Sequence, residues 1–356
     1  MNYTDDEINL ITLCSFDGLS DAQRRILLCN LTSSEPDFVK YEKSLIKSLS
    51  DGVYNKVKAD FYDGAYRNKV LDGLESAGIQ CVTYFSKNYP QLLKLIDTPP
   101  IVLYCKGNLS LLNAECFSVV GSRRTLPHIL KLCKKTAKEL ASHFTVVSGI
   151  ADGADAAAVE GALESGKVIS VLAYGFNYFY PAKNKYLIEK VAKQGLLITE
   201  YPPETKPQKY LFPVRNRIIA GLSKGTLVVS AGKKSGALIT AHYAKEYGRE
   251  LFAFPYTVGV SSGEGCNFLL KNHATLAENT LDIFDYFGLD FKPQVFLELS
   301  DEEKILLDAI RELGEAFIPE LAEKLKTQPY KLISAISKLE IKGLVTRIGG
   351  NRFVAV

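Results

Sequence analysis

The middle of the chain, residues 117–280, alternates short apolar runs with helical patterns, and this alternation constrains the fold most. The runs are rich in Val, Ile and Leu without polar alternation, which is typical of strands buried on both faces. The pattern predicts an α/β fold with a Rossmann-like parallel sheet and helices on both faces. The predicted strands are Phe117–Val120, Thr145–Ser148, Val168–Ala173, Leu196–Thr199, Thr226–Ser230 and Leu251–Phe254. The predicted helices are Pro127–Ser142, Gly153–Glu164, Lys183–Lys193, Arg215–Leu222 and Ala237–Tyr247.

The segments on either side differ from this pattern. A chain of 356 residues is expected to form two or three domains. We predict a small helical module of the SAM or helix-hairpin-helix type over residues 1–80, including a helix Asp21–Cys29 capped by Ser20. The Rossmann-like domain is expected over 81–285. Residues 296–356 show three helical patterns and a terminal hairpin, which predict a winged helix.

Charge is distributed unevenly. Residues 117–280 contain 21 Lys and Arg against 12 Asp and Glu, whereas the segments before and after each have a small acidic excess. Such asymmetry favours a polyanionic partner for the middle domain.

The composition predicts a cytoplasmic protein that does not enter a membrane. No apolar run approaches the length of about 20 residues that a membrane helix needs, and acidic residues follow Met1 where a signal peptide would be basic. The seven cysteines are scattered and form no C-x-x-C, which is typical of free thiols in a reducing compartment.

Several partial matches to catalytic motifs are rejected. The segment Gly232-Lys233-Lys234-Ser235 resembles the end of a P-loop, but Leu227 stands where the first glycine belongs. Gly221–Gly225 fits G-x-S-x-G between a helix and a strand, the reverse of a nucleophile elbow. The four histidines lack metal-ligand spacing. We therefore predict no metal, no cofactor and no catalytic residues.

Small and basic residues follow the predicted strands. Right-handed crossovers place the carboxyl ends of parallel strands at one edge of the sheet, where ligands bind. Gly121, Ser122, Arg123 and Arg124 follow the first strand, and Ser148-Gly149 follow the second. Arginines beside helix N-termini are suited to phosphate, and Asp152 is expected to cap the helix that begins at Gly153.

The segment from Lys209 to Arg217 interleaves cations with aromatic residues. Lys and Arg can track phosphates while an aromatic ring stacks on an unpaired base, which favours single-stranded DNA. The alternative is that Phe212 packs in the core and that Arg215 and Arg217 cap the sheet. A lysine stripe (Lys131, Lys134, Lys135, Lys138) is either a solvated helix face or an extension of a DNA track.

Six ordered motifs resemble the DNA-processing protein A (DprA/Smf) family over about residues 80–280. They are Val120–Arg123, Ser148–Ala158, Tyr180-Pro181-Ala182-Lys183-Asn184, Glu200–Pro203, Phe212–Leu222 and Ser235–Ala241. Val159 departs from the family, which has histidine there, as does Pro255-Tyr256, where the family has Pro-Gly.

The resemblance implies a bacterial, cytoplasmic homodimer that protects incoming single-stranded DNA during natural transformation and loads the RecA recombinase onto it, without being an enzyme. It carries DNA-pocket roles over to Arg123, Gly149, Lys209, Phe212, Arg215 and Arg217. With the residues at the strand ends, the candidate DNA-binding set is Gly121, Ser122, Arg123, Arg124, Ser148, Gly149, Lys183, Lys209, Phe212, Arg215, Asn216 and Arg217.

Two alternatives remain open. A phosphate-binding edge also suits a nucleotide-modifying enzyme of the lysine-decarboxylase-like (phosphoribohydrolase) type, which would need a carboxylate from Asp152, Asp155 or Glu200. Otherwise the winged helix is the functional end, as a regulator that binds duplex DNA.

Overall fold

The computed structural model describes residues 3–16, 59, 63–290, 299–342, 344–348 and 352–355. The chain divides into two compact units, residues 1–291 and 292–356. The predicted helix Asp21–Cys29 lies outside the described residues.

The first unit is built on a nine-stranded sheet with the order β1-β2-β6-β5-β4-β3-β7-β8-β9. From β6 to β9 all neighbours are parallel, while β2 runs antiparallel to both β6 and β1. The six predicted central strands are confirmed with shifts of at most two residues. The strands are β1 (Gln80–Thr83), β2 (Val102–Gly107), β3 (Cys116–Gly121), β4 (Thr145–Ser148), β5 (Val168–Val171), β6 (Leu196–Thr199), β7 (Gly225–Ser230), β8 (Glu250–Ala253) and β9 (Thr275–Leu276).

Helices cover both faces of this sheet, as predicted for a Rossmann-like fold. The α-helices of the first unit are α1 (Asp5–Cys14), α2 (Gly64–Ser76), α3 (Gln91–Lys94), α4 (Pro127–Leu140), α5 (Ala154–Ala162), α6 (Lys185–Gln194), α7 (Leu211–Leu222), α8 (Ala237–Glu246), α9 (Glu264–Lys271) and α10 (Thr280–Tyr286). Short 3₁₀ turns lie at Leu109–Asn113, Ala182–Asn184 and Ser261–Gly263.

The side chains of each central strand enter two cores. Val119 of β3 packs with α4, α5, α6 and α10 on one face, whereas its neighbour Val120 packs with α3, α7, α8 and α9 on the other. Both side chains are at most 3% exposed. Burial on both faces explains why these strands are continuous apolar runs.

The helices α1 and α2 pack on the antiparallel edge of the sheet. Leu10, Ile11 and Leu74 share one core with Cys81 of β1 and Tyr104 of β2, and the Tyr3 hydroxyl accepts a hydrogen bond from the Cys81 amide. The described part of residues 1–80 therefore lies against the sheet, and the domain boundary at residue 80 stays a prediction.

The second unit has its own core. It contains α11 (Asp301–Leu313), β10 (Ala316–Phe317), α12 (Ile318–Lys324), α13 (Pro329–Ile341), β11 (Val345–Ile348) and β12 (Arg352–Ala355). A capping box formed by Ser300 and Glu303 begins α11, and β10, β12 and β11 form a sheet. Leu306, Ile336 and Phe353 centre the core. The three helices and the terminal strand pair follow the predicted order, whereas the two-residue strand β10 was not predicted. The winged-helix assignment stays a prediction.

No helix among the described residues is long and apolar enough to cross a membrane. The six cysteines in this part of the chain are free thiols with buried side chains. Burial raises the pKa of the Cys266 thiol to about 12, so this thiol stays protonated and unreactive at neutral pH.

Candidate functional site

A cleft of about 430 Å³ opens at the carboxyl edge of the sheet, where β3 ends beside the N-termini of α7 and α8. Eight of the twelve candidate residues line it. These are Gly121, Ser122, Arg123, Arg124, Lys209, Phe212, Arg215 and Asn216.

The end of β3 is shaped by close backbone packing. A Cβ on Gly121 would lie 2.6 Å from the Ala154 Cβ and 2.9 Å from the Val229 side chain, so only glycine fits. The Ser122 amide donates to the Ser230 carbonyl at 2.8 Å. The chain then leaves the sheet with the side chains of Arg123 and Arg124 exposed to solvent.

The Ser122 carbonyl accepts from the amide of Ala154 at 3.2 Å. The first turn of α5 is therefore partly satisfied by the chain itself. Gly153 is the N-cap residue, with a φ of 77° and no side-chain capping bond. The prediction that Asp152 caps this helix is wrong, because its carboxylate lies 3.1 Å from Lys183 Nζ instead.

The helix α7 begins at Leu211, four residues before the predicted start. Residues three and four positions apart share a helix face, so Phe212, Arg215 and Asn216 point together into the cleft. Arg217 lies about 200° around the helix from Arg215. Arg215 and Arg217, two positions apart in the sequence, therefore lie on opposite sides of α7.

Phe212 is half-buried at the mouth of the cleft. The Cζ of Arg123 lies 5.6 Å from its ring centroid. On another side the Tyr180 ring packs at 5.4 Å, tilted by 53°. The ring is neither sealed in the core nor free, and part of its surface remains available for stacking.

Arg215 forms the floor of the cleft and is 3% exposed. Its guanidinium donates to the Gly149 carbonyl at 3.0 Å and to the Val171 carbonyl. Burial lowers the pKa of Arg215, and the neighbouring Asp155 carboxylate opposes that shift. Burial likewise raises the pKa of Asp155, against the opposing charge of Arg215. These two opposite charges are therefore buried near each other beneath the exposed cations.

Glycine is required at position 149 by the closeness of the Arg215 and Asp155 side chains rather than by its own backbone angles. A Cβ there would lie 2.5 Å from Arg215 Nη2 and 2.6 Å from Asp155 Oδ2. The next residue, Ile150, has a φ of 54°, and its carbonyl accepts from the Asn184 side-chain amide at 3.0 Å. Asn184, the last residue of the motif that begins at Tyr180, therefore supports the loop that follows β4.

Arg217 belongs to the predicted DNA-binding set but does not line the cleft. It is 2% exposed, and its Nη2 lies 2.5 Å from Glu200 Oε2. Glu200 follows β6, so the pair ties α7 to the end of that strand. The reason is the earlier helix start, which turns Arg217 toward the other face.

Three further candidate residues also lie off the cleft lining. The Ser148 hydroxyl is buried and donates to the Val119 carbonyl at 2.7 Å. The Gly149 carbonyl accepts a hydrogen bond from the Arg215 guanidinium. Lys183 is exposed and pairs with Asp152. In the lysine stripe, Lys134, Lys135 and Lys138 pair with Glu160, Glu139 and Glu164 respectively, which favours a solvated face.

The cleft is cationic. Its lining contains Arg123, Arg124, Lys209 and Arg215, against the single carboxylate of Asp155, which is 7% exposed. Within the described residues no cluster of His, Cys, Asp or Glu could hold a metal ion. The other two candidate carboxylates, Asp152 and Glu200, are engaged by Lys183 and Arg217.

Comparison with known proteins places this arrangement in a family. The family model of DNA recombination-mediator protein A matches residues 80–288. The chain is 39% identical to the DNA processing protein DprA of Bacillus subtilis over 220 residues, which is 61% of this chain and 74% of the relative.

Two solved structures are also similar. DNA processing protein A from Streptococcus pneumoniae has 32% identity and a TM-score of 0.68, covering 82% of this chain and all of that chain. DNA processing protein A from Helicobacter pylori, described for its single-stranded DNA binding mode, has 30% identity and a TM-score of 0.54, covering 59% of this chain and 95% of the other. The predicted resemblance is confirmed, and the chain belongs to the DNA recombination-mediator protein A family.

Proposed function

We propose that this protein binds single-stranded DNA in the cleft at the carboxyl edge of its sheet. The observation that carries the proposal is the half-buried Phe212 ring, which contacts the exposed Arg123 in a cationic cleft. The exposed Arg124 and Lys209 line the same cleft, and no exposed carboxylate does. The cations would hold phosphates, and the ring would stack on an unpaired base.

The candidate residues take different roles in this proposal. Arg123, Arg124 and Lys209 contact phosphates, Phe212 stacks, and Asn216 offers its side-chain amide at the opening toward α8, where it now donates to the Gly236 carbonyl at 3.2 Å. The backbone of Gly121 and Ser122 lets the DNA strand approach the cleft closely. Arg215 positions the floor through its bonds to Gly149, and Ser148 and Arg217 support the scaffold.

The family supports the finer parts of the proposal. We propose a DNA-processing role without a covalent step, in which a cytoplasmic homodimer protects incoming single strands during natural transformation and loads RecA onto them. The boundaries at residues 80 and 296 and the winged-helix assignment belong to the same proposal. Size-exclusion chromatography tests the dimer, and RecA filament assembly on a coated strand tests the loading.

The binding proposal is tested by fluorescence anisotropy with an oligonucleotide of about 20 nucleotides and with the duplex of the same length. The single strand is expected to bind more tightly, because only an unpaired base presents its face to Phe212. The variant Lys245→Ala is the control, since this exposed lysine lies at the far end of α8 from the cleft. Equal affinities for the two DNA forms would contradict the proposal.

A further inference from the structure

A pair of exposed aromatic side chains lies next to the cleft, outside its lining. Phe179 is 41% exposed and Tyr180 is 40% exposed. The Tyr180 ring packs 5.4 Å from Phe212, and Lys185 Nζ lies 5.0 Å from the centroid of the Phe179 ring. The Tyr180 ring therefore extends the aromatic surface of Phe212. Tyr180 and its chain neighbour Phe179, with Lys185 against the Phe179 ring, are called here the aromatic row.

The backbone of this row is held in place. The Tyr174 hydroxyl donates to the Tyr180 carbonyl at 2.6 Å and accepts from the Tyr180 amide at 3.1 Å. Tyr174 is 1% exposed, and burial raises its pKa to about 12, so the hydroxyl stays protonated. The row is thus ordered by the core while its rings remain exposed, the arrangement that stacking without a large entropy cost requires.

We infer that Phe179, Tyr180 and Lys185 form a second subsite for the same DNA strand, called here the Phe179 subsite. The inference rests on the proposed function, because it extends a strand that already occupies the cleft. Unpaired bases leaving Phe212 would stack on Tyr180 and Phe179. Lys185, and Lys183 two residues before it, would contact the phosphates that link these bases.

Beyond Lys185 the surface carries charges of both signs that are paired with one another. Glu189 lies 3.8 Å from Lys185, and Glu160 accepts from the Tyr186 hydroxyl at 2.7 Å and pairs with Lys134. This segment therefore adds no excess of positive charge to attract further phosphates. With one ring each at Tyr180 and Phe179, the Phe179 subsite accommodates about two nucleotides beyond the cleft.

The test compares oligonucleotides of about 4 and about 16 nucleotides, since only the longer one reaches past the cleft. Phe179→Ala and Lys185→Ala are each made in the full chain. Phe179→Ala is expected to weaken binding of the longer strand by about fivefold or more, the lower end of the effect of losing one stacked base. Binding of the shorter strand is expected to stay as in the wild type. Lys185→Ala is expected to act in the same direction and to reduce the salt dependence for the longer strand.

Phe85→Ala is the matched control, because Phe85 has nearly the same exposure, 40%, and follows β1 rather than β5. If Phe179→Ala and Phe85→Ala both bind the longer strand like the wild type, the Phe179 subsite is overturned. Phe212→Ala separates this result from failure of the proposed function, since it weakens both lengths only if the cleft binds DNA. A wild type that binds neither length overturns both proposals.

Discussion

The guanidinium of Arg123 lies over the Phe212 ring, with 5.6 Å between Cζ and the ring centroid. The first residue follows β3 and the second lies in the first turn of α7, so the contact joins two elements that are distant in sequence. It places a cation and a stacking surface at one point of the cleft.

We expect these two side chains to bind DNA cooperatively. Phe212→Ala should weaken single-strand binding by about 1–3 kcal/mol through lost stacking. In a double-mutant cycle with Arg123→Ala, the coupling energy should be about 0.5–1 kcal/mol, the range for an exposed cation–π pair. Anisotropy titrations of the four proteins measure it. Strictly additive losses would show that the pair does not act as a unit.

Gly149→Ala should destabilise the fold. Its Cβ would come within 2.6 Å of both Arg215 and Asp155, and forcing atoms into a packed site costs about 1–3 kcal/mol. Urea denaturation measures the change. Gly236→Ala is the control, because nothing lies within 4 Å of a Cβ there; a similar loss in both variants would contradict this explanation.

Glu200→Ala should be more costly than the loss of an exposed ion pair. It leaves the Arg217 guanidinium, 2% exposed, without a counter-charge, and such buried losses cost about 3–5 kcal/mol. Glu115→Ala is the control, since its pair with Lys224 is exposed and should cost at most about 1 kcal/mol. The free energy of unfolding, from urea titration, decides between the two.

The alternative enzymatic function would need a carboxylate from Asp152, Asp155 or Glu200. We expect no release of free base when the protein is incubated with nucleoside monophosphates, because Lys183 and Arg217 hold Asp152 and Glu200. Asp155 lines the cleft, but it is buried near the charge of Arg215. Chromatography of the reaction mixture measures this. Base release by the wild type that is lost in Glu200→Gln would favour the phosphoribohydrolase hypothesis.

The second unit should lose stability in acid through Glu303. Its carboxylate accepts from Lys342 Nζ at 2.7 Å and from the Ser300 amide, and the bond from Lys342 lowers its pKa. A lowered pKa in the folded state means that the stabilisation exists above the ordinary Glu pKa and is lost as pH falls through the folded value. Urea midpoints of wild type and Glu303→Gln should therefore differ at about pH 7, and the difference should shrink as the pH falls below the ordinary Glu pKa. A constant difference would contradict this role.

The central strands were predictable because burial on both faces gives each one a continuous apolar run. The edge strands β1 and β9 were not predicted. β9 has only two residues, and β1 (Gln80–Thr83) begins and ends with a polar residue, so it lacks a continuous apolar run. The structure also fixes the loop at Pro255-Tyr256, where the Tyr256 hydroxyl donates to the Val229 carbonyl at 2.8 Å. A contact between distant residues of this kind leaves no local signal.

The residue types of the candidate site were predictable, but which of these residues face the cleft was not. Lys209 to Arg217 carries the right residue types, yet the start of α7 decides which of them face the cleft. Leu211 and Phe212 begin that helix without a side-chain cap, so no capping signal marked its start. Tyr180 was part of a family motif and Phe179 was part of none. The exposure of both rings could not be predicted, because it depends on the packing around Tyr174.

The salt dependence of single-strand binding tests the central claim most directly. Each phosphate contact contributes about −0.7 to the slope of log K against log salt for a single strand. We predict a steep slope for the wild type, reduced by about 0.7 in Arg123→Ala and in Lys209→Ala, and unchanged in Lys245→Ala. The same slope in all four proteins would mean that these cations do not contact the DNA backbone, and the cleft would not be the binding site.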